Sequence, residues 1–562
     1  MSIYSDELID RLVAPTGFSD VELEKKYPVR QITEGQLVMR FAPSPTGFVH
    51  IGAIFSALLT ERAARQSGGI MILRIEDTDQ KREMEGGTNL IIDVLDKFGI
   101  HYDEGLQKNG KIIGDYGPYI QSERKNIYQT YVRLLLKKGL AYPSFDSPEE
   151  LEEMRKNQEK IKSRTGYYAS FAVWRNKSVE EVEKALDDGK VPVIRFRSPG
   201  NFNSKFSFID VIKGKLEMAE NDQDVVILKS DNLPTYHLAH VVDDHLMRTN
   251  LVTRGEEWIP STSIHVQLFS ALDWEIPKYA HFSVISKLDN GNKRKLSKRK
   301  DPEANMEFYD QEGFSKEAVL EYLMNLINSH FANWRTENPD TPLSEYQMEM
   351  DNISKSSPLF DEKKLLDVSK QIIARMSAEE ILERMLIWTK KYDQEFSKKL
   401  EKEKDYVLNI FNIERENRNS SHGGISRRKD IAKWSDVKNS IDYFFDDWFS
   451  IADIDLKQML QENIDLEDAK KTVDKFLLVY DEKDSKEIWL KKVKNICKEL
   501  NYAENVKEYK ANPDAFKGNL ANIAGALRIL LTGRTFSPDL FEIMQVMGKE
   551  RIENRLKKIE NL

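Results

Sequence analysis

Two short stretches of this chain carry residues suited to phosphate chemistry. One runs Arg40-Phe-Ala-Pro-Ser-Pro-Thr-Gly-Phe-Val-His-Ile-Gly-Ala53; the other is Lys295-Leu-Ser-Lys-Arg299. The first reads as a strand, a Pro/Gly turn and a helix start. Such a turn brings backbone N–H groups and the His50 imidazole to a phosphate. Gly52 leaves room where a Cβ would collide with a ligand. In the second stretch, Lys295 and Lys298 flank Ser297 in a loop. Lysine ammoniums on flexible stems can follow charge as a phosphate bond breaks. Alone, His50 would read as a cap and the lysines as a solvated basic run. Together they read as an ATP site assembled from two distant segments.

The wording of the two stretches resembles the paired HIGH and KMSKS signatures of class I aminoacyl-tRNA synthetases. Their flanks resemble those of glutamate–tRNA ligases over nearly the whole chain. Adenylating a carboxylate requires ATP with its α-phosphorus open, an oriented acid and a stabilised pyrophosphate. Glutamate brings two carboxylates and one ammonium, so its site needs two cations and one anion. The resemblance places Arg40, Ala42, Ser44, Glu76, Tyr236, His240 and Arg254 at the amino acid, with Glu76 meeting the ammonium and Arg254 a carboxylate. It places His50, Gly52, Glu257, Trp258, Lys295 and Lys298 at ATP, with Ser297 in the catalytic loop. Ala53 replaces the second His of the class pattern, as it often is in glutamate enzymes. His240 stands where many bacterial relatives have Asn and is expected to donate a similar but pH-dependent hydrogen bond.

The end of the chain resembles the family's anticodon-binding part in Leu527-Arg-Ile-Leu-Leu-Thr-Gly-Arg534, Ser537-Pro-Asp-Leu-Phe541 and Gly548-Lys-Glu-Arg-Ile-Glu-Asn-Arg555. Arg427, Arg428, Arg534, Arg551 and Arg555 are the candidate phosphate or anticodon contacts. The resemblance implies ATP-dependent ligation of glutamate to tRNA(Glu) through an adenylate, with Mg²⁺ accompanying ATP and no enzyme nucleophile. It leaves open whether tRNA(Gln) is also charged, and a monomer is the family expectation. Three other readings are weighed. A glutamine–tRNA ligase normally has acidic and Asn residues where this chain has Ser44-Pro-Thr46. The shorter tRNA-modifying glutamylase lacks the anticodon module. A non-catalytic RNA-binding paralogue would not be expected to keep His50, Lys298 and both arginines.

These side chains need a scaffold. Gln36–Phe41 reads as a buried strand, Ala53–Gln66 as a helix stopped at Gly68-Gly69, and Ile70–Ile75 as a second buried strand ending in Glu76-Asp77-Thr78-Asp79. That is a doubly wound nucleotide-binding pattern. The fold class is α/β: a Rossmann-type catalytic domain with an α+β acceptor-binding insertion and an all-α anticodon-binding module. The expected boundaries are an N-terminal extension at 1–35, catalytic halves at 36–115 and 231–280, and the insertion at 116–230. A stem-contact domain with the Lys-rich loop follows at 281–375 and the helical module at 376–562. Phe206–Val211 falls inside the insertion, and the Rossmann pattern resumes at Val225–Leu228. The extension is expected simply to pack on the surface. Asn419–Gly424 reads as a polar break.

At 562 residues several cores are expected. The single cysteine, Cys497, excludes a disulfide framework and a Cys-rich zinc site, so no structural zinc is expected in the insertion. No apolar run resembles a membrane span, and the expected compartment is a reducing cytosol. The net charge of −9 argues against a protein that simply coats nucleic acid. Local basic faces at Lys293–Lys300, Arg427–Lys429 and Lys549–Lys558 remain open to RNA.

Overall fold

The computed structural model describes residues 4–297, 299–415 and 428–561. Lys298, Arg427 and the polar stretch Asn419–Gly424 lie outside the described residues. The chain divides into two units, one of residues 1–308 with 320–361 and one of residues 309–319 with 362–562.

The first unit is built on parallel strands. Val38–Phe41 is buried at all four positions and pairs with Ile70–Leu73, with Arg40 opposite Ile72. The helix Ile51–Gln66 makes the crossover. The chain turns back at Gly69, where a Cβ would stand 2.0 Å from the Leu37 carbonyl oxygen. Asn250 attaches the next strand: its N–H donates to the Val38 carbonyl at 3.0 Å, and its Oδ1 accepts from the Val38 N–H at 2.9 Å. Leu251–Gly255 then runs parallel to Lys278–Phe282 with Arg254 opposite His281. The strand ends, where open α/β sheets bind ligands, carry the side chains singled out above.

Two strands change allegiance relative to the sequence reading. Lys205–Asp210, expected in the insertion, pairs with Lys278–Phe282 at Tyr279 and with Gly214–Ala219. Val226–Leu228, expected to resume the Rossmann sheet, is instead an edge of the insertion's sheet, with Val193–Phe196 central and Ala141–Ser144 opposite. A short apolar run reports burial, not which sheet buries it. The insertion is tied by Asp224, which is fully buried and accepts from Tyr142 Oη at 2.6 Å, the Ser198 N–H at 2.8 Å and the Arg175 guanidinium.

The N-terminal extension forms the helices Asp6–Leu12 and Asp20–Lys26, the second opened by a Ser19/Glu22 capping box. It is more than a surface appendage. Leu8, Ile9, Leu23 and Tyr27 enter the core that also holds Tyr128, Tyr131 and Leu135 of the helix Lys125–Lys137. Each such side chain contributes about 1.5–3 kcal/mol by burial.

The loop of Lys295 leaves a hairpin, Ser286–Asp289 with Asn292–Lys295. Its two-residue turn is Asn290-Gly291, both with positive φ (49° and 81°), which matches the twist of antiparallel strands. The second unit is helical, with no strand among its described residues. Its core includes Leu527, Leu530 and Leu531 of the helix Leu520–Thr532, together with Cys497.

Candidate active site

The strand ends converge on a cavity of about 300 Å³ lined by Arg40, Ala42, Ser44, His50, Glu76, Tyr236, Arg254 and Trp258, among others. A second cavity of about 170 Å³ shares His50 and Gly255 with it and adds Gly52, Glu257 and Lys295. The residues named here come from five separate stretches of chain and share two adjoining spaces.

His50 is the N-cap of the helix Ile51–Gln66, and its Nδ1 accepts from the Gly52 N–H at 2.9 Å. The neutral ring therefore carries its proton on Nε2. A Cβ at Gly52 would also stand 3.0 Å from His50 Nδ1 and press on the cap.

Arg40 is 3% exposed. Its Nε donates to both Asp244 oxygens at 3.1 Å and its Nη1 to the Thr253 carbonyl at 3.0 Å, so Nη2 takes no part in these bonds. Arg74, fully buried, bonds Asp244 at 2.5 Å through Nη1 and Glu76 at 3.0 Å through Nη2. Burial alone would raise the Asp244 pKa, but the Arg40 and Arg74 charges hold it well below the ordinary carboxylate value. For Glu76 burial wins, and its pKa is raised even though Arg74 and Arg40 pull it down.

His240 departs from expectation. It is completely buried behind Tyr236, whose ring stacks on it with centroids 5.5 Å apart, and it does not line the cavity. Its Nδ1 lies 2.7 Å from Asp244 and its Nε2 3.2 Å from Tyr279 Oη. Burial pushes its pKa down to about 3, against the pull of Asp244, so it is neutral at physiological pH. The expected pH-dependent substrate bond is thereby corrected, because desolvation outweighs the neighbouring carboxylate.

Arg254 is 5% exposed. Its Nε donates to His281 Nε2 at 2.9 Å, its Nη1 to His265 Nδ1 at 3.0 Å and its Nη2 to Thr262 Oγ1 at 3.0 Å. Trp258 packs on Tyr236 with centroids 4.2 Å apart. Lys295 Nζ lies 3.0 Å from Glu257 Oε1. Ser297 shapes its loop: its N–H donates to Asp301 Oδ2 at 2.7 Å, while Arg294 bonds both Asp301 oxygens at 2.6 and 2.8 Å.

The C-terminal arginines are largely engaged within the protein. Arg428 (4% exposed) is chelated by Asp430 at 2.6 and 2.7 Å, and Arg555 (3% exposed) bonds the Leu531 and Tyr443 carbonyls and Asp446. Burial in the helical core corrects both as surface contacts for RNA. Arg534 pairs with Asp442 at 2.6 Å and Arg551 with Asp446 at 2.8 Å, both partly exposed.

Sequence reasoning passed over Asp244, Arg74, His265 and His281. Two signals were present: Arg74 and Glu76 share a face by strand alternation, and His240 and Asp244 by helical i,i+4 spacing.

A family model described as tRNA synthetases class I (E and Q), catalytic domain, matches residues 36–367. A second, described as anticodon binding domain, matches residues 426–560. A glutamate–tRNA ligase of Acetivibrio thermocellus is 46% identical over 533 residues, covering 95% of each chain. The chain belongs to the glutamate–tRNA ligase family of class I aminoacyl-tRNA synthetases. Another glutamate–tRNA ligase, from Sorangium cellulosum, is 38% identical over 562 residues, covering 95% of this chain and 96% of the relative. A crystal structure of a glutamate tRNA ligase from Elizabethkingia meningosepticum in complex with its amino acid superposes with a TM-score of 0.71 at 27% identity, over 94% of this ligase and all of that chain.

Proposed function

We propose that the larger cavity binds glutamate and the smaller one the phosphates of ATP. Arg254 takes the α-carboxylate, Arg40 Nη2 the side-chain carboxylate and Glu76 the ammonium. The activity is the family's: ATP-dependent ligation of glutamate to tRNA through glutamyl-adenylate. An α-carboxylate oxygen attacks the α-phosphorus, and the bond to pyrophosphate breaks. Charge growing on the leaving group is met by the His50 Nε2–H, Lys295 and, by sequence, Lys298. The terminal ribose hydroxyl of the tRNA then attacks the carbonyl and AMP departs. Mg²⁺ enters as the counter-ion that ATP carries on its phosphates; among the described residues no cluster of three or more His, Cys, Asp or Glu side chains could hold it. The partners proposed are glutamate, ATP and tRNA(Glu), with tRNA(Gln) a question for charging assays.

The observation that carries this reading is one cavity lined by two arginines and one carboxylate, the charge set glutamate requires. Its test is kcat/KM for glutamate and glutamine, with tRNA present, in two variants. Arg40→Gln is expected to weaken glutamate by about 2–5 kcal/mol, the range for breaking a desolvated charge pair, and to narrow the preference over glutamine. Arg254→Gln is expected to hurt both amino acids alike, because both carry the α-carboxylate. The reverse pattern would exchange the two roles. No effect from either variant would remove the assignment.

A further inference from the structure

We propose that His265 and His281, with Asp210 behind His281, are positioning residues that hold Arg254 as an uncompensated cation for a carboxylate of glutamate. The inference deepens the proposed glutamate site and rests on Arg254 binding one of the two carboxylates.

Several buried arginines of this unit face an anion, whereas Arg62 and Arg195 bond backbone carbonyls and a serine hydroxyl. Arg40 and Arg74 share Asp244, and Arg124 donates to Asp243 at 2.7 Å. Arg254 differs in this from Arg40, the other arginine that lines the larger cavity. Every hydrogen-bond acceptor around it is neutral: His281 Nε2, His265 Nδ1, Thr262 Oγ1, the Trp258 carbonyl and the Tyr236 hydroxyl. A buried charge left without a counter-ion is costly, and a carboxylate arriving from solution relieves that cost. A protein carboxylate in the same place would neutralise the guanidinium and repel the ligand. Imidazole nitrogens orient the guanidinium without doing either.

An imidazole performs this task only in one tautomer. Arginine can only donate, so His281 Nε2 and His265 Nδ1 must both be bare. His281 then carries its proton on Nδ1, which lies 2.6 Å from Asp210 Oδ2. Asp210 is itself fixed by the backbone N–H groups of Ile212 and Lys213 at 3.0 and 2.8 Å and of His281. It cannot turn away, and as an acceptor it selects the Nδ1–H form. His265 carries its proton on Nε2, which lies 3.1 Å from His237 Nδ1. A single polarity of hydrogen bonds therefore runs outward from Arg254 on both sides, ending on a fixed carboxylate on one of them. The parallel strands build it: register sets Arg254 opposite His281 and Asp210 opposite Tyr279. Burial pushes both His265 and His281 below the ordinary imidazole value, which keeps the rings neutral.

The test separates this role from mere packing. Gln can place its amide oxygen near the position of Nε2, and Asn its amide nitrogen near that of Nδ1. His281→Gln can keep an acceptor for Arg254 and lose Asp210; His281→Asn does the opposite. KM for glutamate is expected to rise on the order of tenfold or more in His281→Asn, the scale for losing a hydrogen bond to a charged group. In His281→Gln the rise should stay within about threefold. KM for ATP and the melting temperature should be alike in the two variants. Nitrogen-15 NMR of imidazole-labelled wild-type enzyme should give His281 as the Nδ1–H tautomer and His265 as Nε2–H. Equal KM values in the Asn and Gln variants, or the opposite tautomer at either ring, would overturn the proposal. Arg254→Gln distinguishes the underlying reading. If it leaves KM for glutamate unchanged, Arg254 is not a carboxylate site; if it raises KM while the two His281 variants do not differ, only the positioning role fails.

Discussion

Glu76 shows how a single carboxyl can set the pH range of a substrate. Burial raises its pKa, and Arg74 and Arg40 only partly offset that. The ammonium of glutamate, in the proposed site, favours the charged form. Affinity should therefore be full above the raised value and fall as the pH drops through it. The window opens at a higher pH than the ordinary carboxylate value near 4.5. The buried imidazoles of His237 and His240 do not confuse the result, since burial pushes them down to about 4 and about 3. KM for glutamate should rise as the pH falls through the raised Glu76 value, and Glu76→Gln should flatten that rise while raising KM at neutral pH by about tenfold, as for a lost charge-assisted bond. An unchanged acid limb in the variant would assign the titration elsewhere. At this scale the sequence was informative where a residue's chemistry is its own. Arg40, Ser44, His50, Glu76, Tyr236, Arg254 and Trp258 do meet at one cavity. What was not legible is each one's holder. Asp244 supports Arg40 across 204 positions and His281 supports Arg254 across 27, and sheet order decides both contacts. His240 was misjudged for the same reason, because its depth is a property of the packed unit.

At the scale of elements, amphipathic helices and the central strands were legible because their pattern is local. The helix expected over Ala53–Gln66 runs Ile51–Gln66 and ends just before Gly68-Gly69. Partner choice between strands was not legible, as Val226–Leu228 shows. The N-terminal extension was the least readable element, since its role lies in its contacts. Arg30 crosses from it to bond Glu104 twice, at 2.7 and 2.9 Å, donates to the Met247 carbonyl at 3.0 Å, and lies over the Tyr116 ring at 3.6 Å. Glu24 reaches Arg248 at 2.7 Å and His245 at 2.6 Å. The extension thus fastens Glu104 and Tyr116 to residues 245–248. With side chains 6% and 11% exposed, the Arg30–Glu104 pair is nearly desolvated. Arg30→Ala leaves Glu104 without its cation and should destabilise the catalytic unit by about 2–4 kcal/mol, near the range for breaking a buried pair. Its thermal transition should fall by several degrees. Arg30→Ala combined with Glu104→Gln should recover part of the loss, because the stranded charge is then gone. A double variant worse than the sum would show that the contact matters by packing rather than by charge.

For the whole molecule the question is how a chain of net charge −9 binds a polyanion. The answer depends on which cations are available rather than on their total. Arg428 and Arg555 are held in the core of the helical unit by Asp430 and Asp446, and removing either is a stability change. Lys549, Lys557 and Lys558 are exposed on the same terminal segment, as are Lys293, Lys295, Arg299 and Lys300 around the active-site loop. Phosphates bound by such groups release counterions, so tRNA affinity should fall steeply with salt despite the acidic total. Each neutralised phosphate contributes roughly 0.7–0.9 to the log–log slope. Replacing Lys549, Lys557 and Lys558 together by Ala should lower that slope by roughly 2–3 if all three meet phosphates. Arg555→Ala should instead lower the melting temperature of the helical unit and leave the slope of the folded enzyme unchanged. The measurement is tRNA affinity as a function of salt for the three proteins, below the melting temperature of each. A slope that drops with Arg555 and not with the lysines would mean that the terminal helix opens to bind RNA, exposing the arginine that the unliganded fold keeps inside. A slope that is flat in the wild type would place the RNA on neither basic face.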